Sequence, residues 1–298
     1  MAAGFAFALS EISLVLFTTL APSGAVAFAL MGAPLHRGAL DAYARERISK
    51  LLCIPLIVTM VGLVASATHL GNPDNALYVI AGIGRSPLST EVAGAVVFLA
   101  LAGVFWLLTF ARRFPLAAQR AWLGVAQLAA VVFVGTVAFA YWQETIATWH
   151  LWEVSAALCL NSLVGGPLLA LFGLRAAKAP VSEAFAKGLL VTAGVALAVN
   201  IAVYALQCID LAAMRNAMAS VSDLAPGFPA FVAAFAVLCA AGCVLSARAG
   251  KTPAVGDGTV GRGICRMLVM SGGGCLMAFA GIFLMRFAFY ATHMTVGL

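Results

Sequence analysis

The chain has 298 residues, of which 63% are hydrophobic and 9% charged, against about 25% charged in soluble domains. Its 17 basic and 11 acidic side chains cannot wet a 30.7 kDa globule with a mean hydropathy of +1.05. A soluble fold, a disordered chain, a collagen-like repeat and a disulfide-stapled secreted scaffold are therefore excluded, which leaves a polytopic membrane protein.

A helix crossing a hydrocarbon core of about 30 Å needs roughly 20 apolar residues. Runs of that kind, bounded by charge, Pro or Gly, predict eight spans: Glu11–Met31, Leu51–Leu70, Thr90–Ala111, Ala121–Trp142, Val154–Leu174, Gly188–Leu206, Pro229–Ala247 and Met267–His293. A closed barrel would show alternating segments of about ten residues instead. The class is therefore all-α, with residues 1–298 forming one eight-helix integral membrane domain. Its loops are too short to hold a soluble domain.

Basic residues collect after spans one, three, five and seven: Arg37, Arg45, Arg47 and Lys50, then Arg112, Arg113 and Arg120, then Arg175, Lys178 and Lys187, then Arg248, Lys251, Arg262 and Arg266. The other end holds Arg85 and Arg215 with Glu11, Asp74, Glu91, Glu144, Glu153, Asp210 and Asp223. Cytoplasmic loops carry the Lys and Arg excess, so both termini are expected outside, on the periplasmic face. The net charge of +6 is then a topology signal and not a nucleic-acid patch. The first ten residues contain no Lys or Arg, so span one is expected to be retained, not cleaved as a signal peptide. Tyr141, Trp142, Trp149 and Trp152 crowd the fourth-to-fifth connection as an interfacial belt would.

The seven cysteines form no C-x-x-C run, so neither an iron–sulfur cluster nor a zinc site is expected within this chain. Of the four histidines, His36 falls in an inner loop, while His69, His150 and His293 lie at the outer boundary. Membrane haem ligands usually lie within the bilayer, so no haem is expected. Gly82 and Gly84 form a lone G-x-G that reads as a tight turn.

Ionisable groups in a membrane helix cost about 2.5–3.5 kcal/mol at the centre and each needs a reason. His69 ends span two, Glu91 opens span three, Arg286 lies inside span eight and His293 follows it on the same face, about 10 Å further along the axis. These groups gather at one end. The long 71–89 connection carries Arg85 and is flanked by His69 and Glu91, whose imidazole and carboxylate can meet at similar depth if spans two and three pack side by side. Such a pair handles protons near neutral pH, as hydroquinone oxidation requires. Simpler roles stand beside this: Glu91 in a first helical turn capped by Ser89, a boundary histidine at His69, a structural ion pair for Arg286, a subunit contact for His293 and a solvated Arg85. Leu211, Met214, Met218 and Val221 repeat at helical spacing within 207–228, as a docking stripe or as packed core. The G-G-P at 165–167 and the Gly272–Gly274 cluster read as sites of close helix packing.

An ordered set of motifs runs along the chain: S-E-I-S-L-V-L-F-T around Glu11, H-L-G-N-P at His69, P-L-S-T-E ending at Glu91, T-W-H-L-W around Trp149, G-G-P-L-L at Gly165–Leu169, and R-F-A-F-Y-A-T-H-M-T-V-G at Arg286–Gly297. With this set the sequence resembles the membrane anchor subunit of dimethyl sulfoxide reductase-type molybdoenzymes. The resemblance implies an eight-helix, haem-free anchor in the cytoplasmic (inner) membrane that oxidises menaquinol near the periplasmic face. It further implies an iron–sulfur electron-transfer subunit and a molybdopterin catalytic subunit as partners on that side, and it assigns the quinol-oxidising histidine and glutamate to His69 and Glu91. Relatives carry an arginine six residues after that histidine where this chain has Asn75, so Arg85 or Arg286 is the candidate substitute. The quinol-binding set is then His69, Asn75, Arg85, Glu91, Arg286 and His293. The rivals are a multi-helix transporter, which predicts polar residues at the midplane, and a passive anchor with no quinone site.

Overall fold

The computed structural model describes residues 3–37, 40–68, 79, 81–111, 114–180, 182–215, 220–250 and 260–295. A short lead-in helix, α1 (Ala3–Ser10), turns at Glu11 into α2 (Ile12–Gly32). After a 3-10 turn, α3 (Ala42–Leu51) begins at Asp41, whose carboxylate accepts from the Ala44 amide at 2.6 Å, and runs through a break at Leu52 into α4 (Cys53–Ala67). There follow α5 (Pro87–Leu108), α6 (Leu116–Ala140), α7 (Trp152–Ala176), α8 (Glu183–Ala213), the single turn α9 (Val221–Leu224), α10 (Phe228–Arg248) and α11 (Val260–Ala291). Among the described residues, eight helical stretches are long and apolar enough to cross a membrane, with α3 and α4 together making one.

Several boundaries differ from the sequence reading. Helix α5 begins at Pro87 with Ser86 as its cap, so Ser89 is not the cap and Glu91 sits in the second turn. Helix α8 extends the predicted Gly188–Leu206 at both ends, and α11 starts well before Met267. In each case the apolar run stops at charges such as Lys187, Asp210 or Arg266. The backbone ladder does not stop there, because Lys, Arg and Glu are good helix formers and a single Asp is tolerated once the chain leaves the hydrocarbon.

Helices α2 and α7 form the centre of the bundle. Helix α2 packs on α4, α6, α7 and α11, and α7 packs on α2, α8 and α11. Small residues allow the close approach, since lipid gives helices no hydrophobic reason to associate and packing must do it. A Cβ on Gly166 would lie 2.5 Å from Val26 Cγ1, and one on Gly165 would lie 2.8 Å from Ser23 Oγ. The G-G-P segment is thus a helix-packing site, and Pro167 lies within α7 without ending it. In the Gly272–Gly274 cluster, Gly273 and Gly274 serve the α10–α11 contact, where a Cβ on Gly242 would lie 2.5 Å from the Gly274 carbonyl oxygen, while Gly272 faces Phe172 of α7. At the basic end, Arg175 donates to the carbonyls of Ser246 (2.9 Å) and Gly250 (3.3 Å), tying α7 to the end of α10.

Candidate functional site

Arg286 lies on α11, 2% exposed. Its Nε donates to Thr18 Oγ1 on α2 at 3.0 Å, and that hydroxyl donates in turn to the Leu14 carbonyl at 2.8 Å. The proton of Thr18 is therefore committed backward along its helix, leaving a lone pair for the guanidinium. Aromatic faces supply the rest of the cradle: Cζ lies 4.1 Å from the Phe289 ring centroid, 5.1 Å from that of Tyr141 and 5.5 Å from that of Tyr290. Desolvated contacts of this kind stabilise a cation by about 2 kcal/mol or more. The Tyr141 and Tyr290 hydroxyls bond each other. Arg286 Nη2 is buried and meets no acceptor among the described residues.

Glu91 joins this group from α5. With Ser86 capping and Pro87 at the first position, the helix turns Glu91 inward beside Ala95 and Phe98, and it is 5% exposed. Arg286 is the cation within electrostatic range of its carboxyl, and the Tyr141 and Tyr290 hydroxyls feel the same carboxyl. A carboxyl, a guanidinium and two phenols thus occupy one buried cluster near the end of the bundle opposite the basic loops.

Trp149 closes the cluster. Its ring stacks on Phe289 (5.1 Å, 29°) and meets Tyr290 and His293 edge-on. Its Nε1 is buried without an acceptor among the described residues, as is the Thr148 hydroxyl. His293 stacks on Phe7 of α1 at 4.2 Å and 16°. Burial pushes its pKa below the usual 6.5, so the imidazole is neutral at pH 7. An isolated bridge between Ile146 and Thr295 ties this connection to the C-terminal segment.

Of the residues singled out in the sequence, Glu91 and Arg286 come together, and His293 joins them through Trp149. Arg85 is exposed on the turn before α5, where Gly84 adopts φ +79°, so Arg286 is the cation that faces Glu91. His69 and Asn75 lie outside the described residues. Thr18, Tyr141 and Tyr290 were not anticipated as site residues. Tyr141 reads as a lipid-facing aromatic but is buried, and the signal for Thr18 is only a hydroxyl pair in an apolar run.

Two further readings change. Leu211 and Val221 are buried on separate helices, α8 and α9, so they belong to packed core and not to one docking stripe, and Met218 lies outside the described residues. Uncharged polar groups also lie away from the end that carries Glu91 and Arg286. Asn200 Nδ2 donates to Asn161 Oδ1 and Asn161 Nδ2 to the Tyr204 hydroxyl, both at 2.9 Å, between α7 and α8.

The sequence features decide the family. A profile of the DMSO reductase anchor subunit (DmsC) matches residues 5–273. The protein belongs to that family. This anchor is 30% identical over 293 residues to the YnfH subunit of anaerobic dimethyl sulfoxide reductase from Escherichia coli K12, covering 97% of this protein and 96% of the relative. It is 29% identical over 293 residues to the C subunit of the anaerobic dimethyl sulfoxide reductase of the same bacterium, with the same coverage. Against the C subunit of the Haemophilus influenzae enzyme it is 27% identical over 290 residues, 97% of each. The anchor is therefore an integral membrane subunit of a dimethyl sulfoxide reductase-type complex.

Proposed function

We propose that this anchor oxidises menaquinol at the end of the bundle that carries Glu91 and Arg286. Electrons then pass to an iron–sulfur partner, which feeds a molybdopterin catalytic subunit. The observation that carries the reading is the buried carboxyl–guanidinium cluster inside an aromatic box, with one guanidinium nitrogen left without an acceptor among the described residues. Ion burial of this sort in a membrane helix costs several kcal/mol at a site with no use for it.

Oxidising one hydroquinone releases two protons and two electrons. In the proposed arrangement the headgroup sits beside Glu91 and Arg286, with its isoprenoid tail leaving between helices into lipid. Arg286 Nη2 donates to a quinol oxygen and orients it, taking the role of the cation that Asn75 does not supply. Glu91 accepts one proton and relays it outward, and His69 accepts the other. Phe289, held between Trp149 and the Arg286 guanidinium, fixes the wall of the site, and neutral His293 lies at the rim. The electrons leave through the docked partner.

The basic residues at the opposite end support a cytoplasmic-membrane topology with both termini and the partner subunits on the periplasmic side.

The test uses the whole complex. Glu91→Gln and His69→Ala are each expected to lower menaquinol-driven turnover by at least about 100-fold while turnover with an artificial soluble donor persists. Unchanged quinol turnover in both variants would leave a passive anchor. If protons leave on the side where the reductase consumes them, quinol-driven turnover in proteoliposomes builds no membrane potential.

A further inference from the structure

At the basic end of the bundle, away from the proposed quinol site, two arginines converge on one small pit. Arg45 on α3 and Arg120 on the first turns of α6 line it together with Ser49, Gln119, Leu35, Phe105 and Leu123. The two guanidiniums are within electrostatic range of each other, and no acid is among the lining residues. The acids flanking Arg45 in sequence are engaged elsewhere: Asp41 caps α3, and Glu46 pairs with Lys50 at 2.6 Å.

The pit is built of donors. Arg45 Nη1 is held by the Leu35 carbonyl at 2.8 Å, and Gln119 Nε2 by the Phe114 carbonyl at 2.8 Å. Arg120 Nε is buried and has no acceptor among the described residues. Two like charges held side by side around an unfilled donor call for an anion. The pit itself holds only about 10 Å³, room for one oxygen atom. The rest of the anion must therefore rest at its mouth.

Its surroundings say where that anion comes from. Trp106 donates to the Lys50 carbonyl (2.7 Å) and Trp122 to the Leu101 carbonyl (2.8 Å), placing two indoles at this end of the bundle. Tryptophans anchored in this way mark headgroup depth, and arginine pairs between membrane helices bind lipid phosphates there. We propose that Arg45 and Arg120 bind the phosphodiester of an anionic phospholipid, one phosphate oxygen entering the pit toward Arg120 Nε while the acyl chains lie along α5 and α6.

The test reads retention of phosphatidylglycerol by the detergent-purified complex by native mass spectrometry, with phosphatidylcholine and inorganic phosphate as competing arms. The wild type should retain phosphatidylglycerol in preference to phosphatidylcholine, and Arg45→Gln/Arg120→Gln should weaken that retention by at least about tenfold. Ser49→Asp places a carboxylate in the pit and serves as the second variant. It should fold, lose the lipid, and lose the gain in thermal stability that added phosphatidylglycerol gives the wild type. Equal retention in wild type and both variants would overturn the proposal, as would displacement of the lipid by inorganic phosphate at low millimolar concentration.

Discussion

Arg286 on α11 and Thr18 on α2 meet at 3.0 Å although 268 positions separate them in the chain. The contact joins the last membrane helix to the first and fixes the guanidinium plane over Phe289. Thr18→Val leaves a buried charged donor without its acceptor, which costs about 1.5–3 kcal/mol. The variant should unfold several degrees below the wild type in detergent while its menaquinol turnover falls only modestly.

Arg286→Met removes the cation that faces Glu91. Menaquinol-driven turnover should drop by about 100-fold or more with artificial-donor turnover intact. Arg286→Lys keeps the charge but loses the planar face and the second donor arm, so its turnover should fall between the two. Comparing the three proteins under both donors separates orientation of the quinol from assembly of the complex.

His293 gives stability a pH dependence with a defined sign. Its imidazole is harder to protonate in the folded protein than in the unfolded chain, where 6.5 is the usual value. Between the lower folded value and 6.5 the unfolded state binds more protons, so the contribution is fully present above 6.5 and is lost as pH falls from there through the folded value. The thermal midpoint should decline between pH 7 and pH 5, and His293→Phe, which keeps a ring against Phe7, should flatten that decline.

Gly4 lets α1 lie against the end of α11. A Cβ there would run into the carbonyl oxygens of Ala291 and Leu224, both backbone atoms that cannot swing aside. Gly4→Ala should detach α1, uncover His293 and destabilise the protein by about 1–3 kcal/mol. Limited proteolysis near the N-terminus would report the detachment directly.

Two glycines on neighbouring helices should behave oppositely. Gly166→Ala on α7 pushes into Val26 and should lower the thermal midpoint. Gly194 on α8 has nothing within 4 Å of its missing Cβ, and Gly194→Ala should be neutral or gain about 0.5–1 kcal/mol from helix propensity. A thermal-shift comparison of the two variants decides the matter.

Parts of the site were open to sequence reasoning because charge in a hydrocarbon run is conspicuous. Arg286 and Glu91 stand out from their apolar neighbours, whereas the helix face expected to carry both Arg286 and His293 is not kept, because α11 ends at Ala291 and His293 lies beyond it. Thr18 and the tyrosines carry no such mark. A threonine returns its hydroxyl to its own helix in many membrane segments, and a tyrosine near the span end fits the interfacial belt equally well.

The amino-acid sequence by itself determined the eight spans and the separation of basic from acidic ends, since bilayer thickness and charge burial act on each segment independently. It also determined the family. Only the tertiary structure decided that Arg286, and not Arg85, faces Glu91, that Thr18 and Tyr141 complete the cradle, and that Arg45 and Arg120 converge. These helices are apolar nearly all round, because lipid and protein interior make the same demand on a side chain, so periodicity does not reveal which face turns inward. That choice is made by small residues such as Gly166 and Gly242, which settle how closely and at what rotation each pair of helices meets.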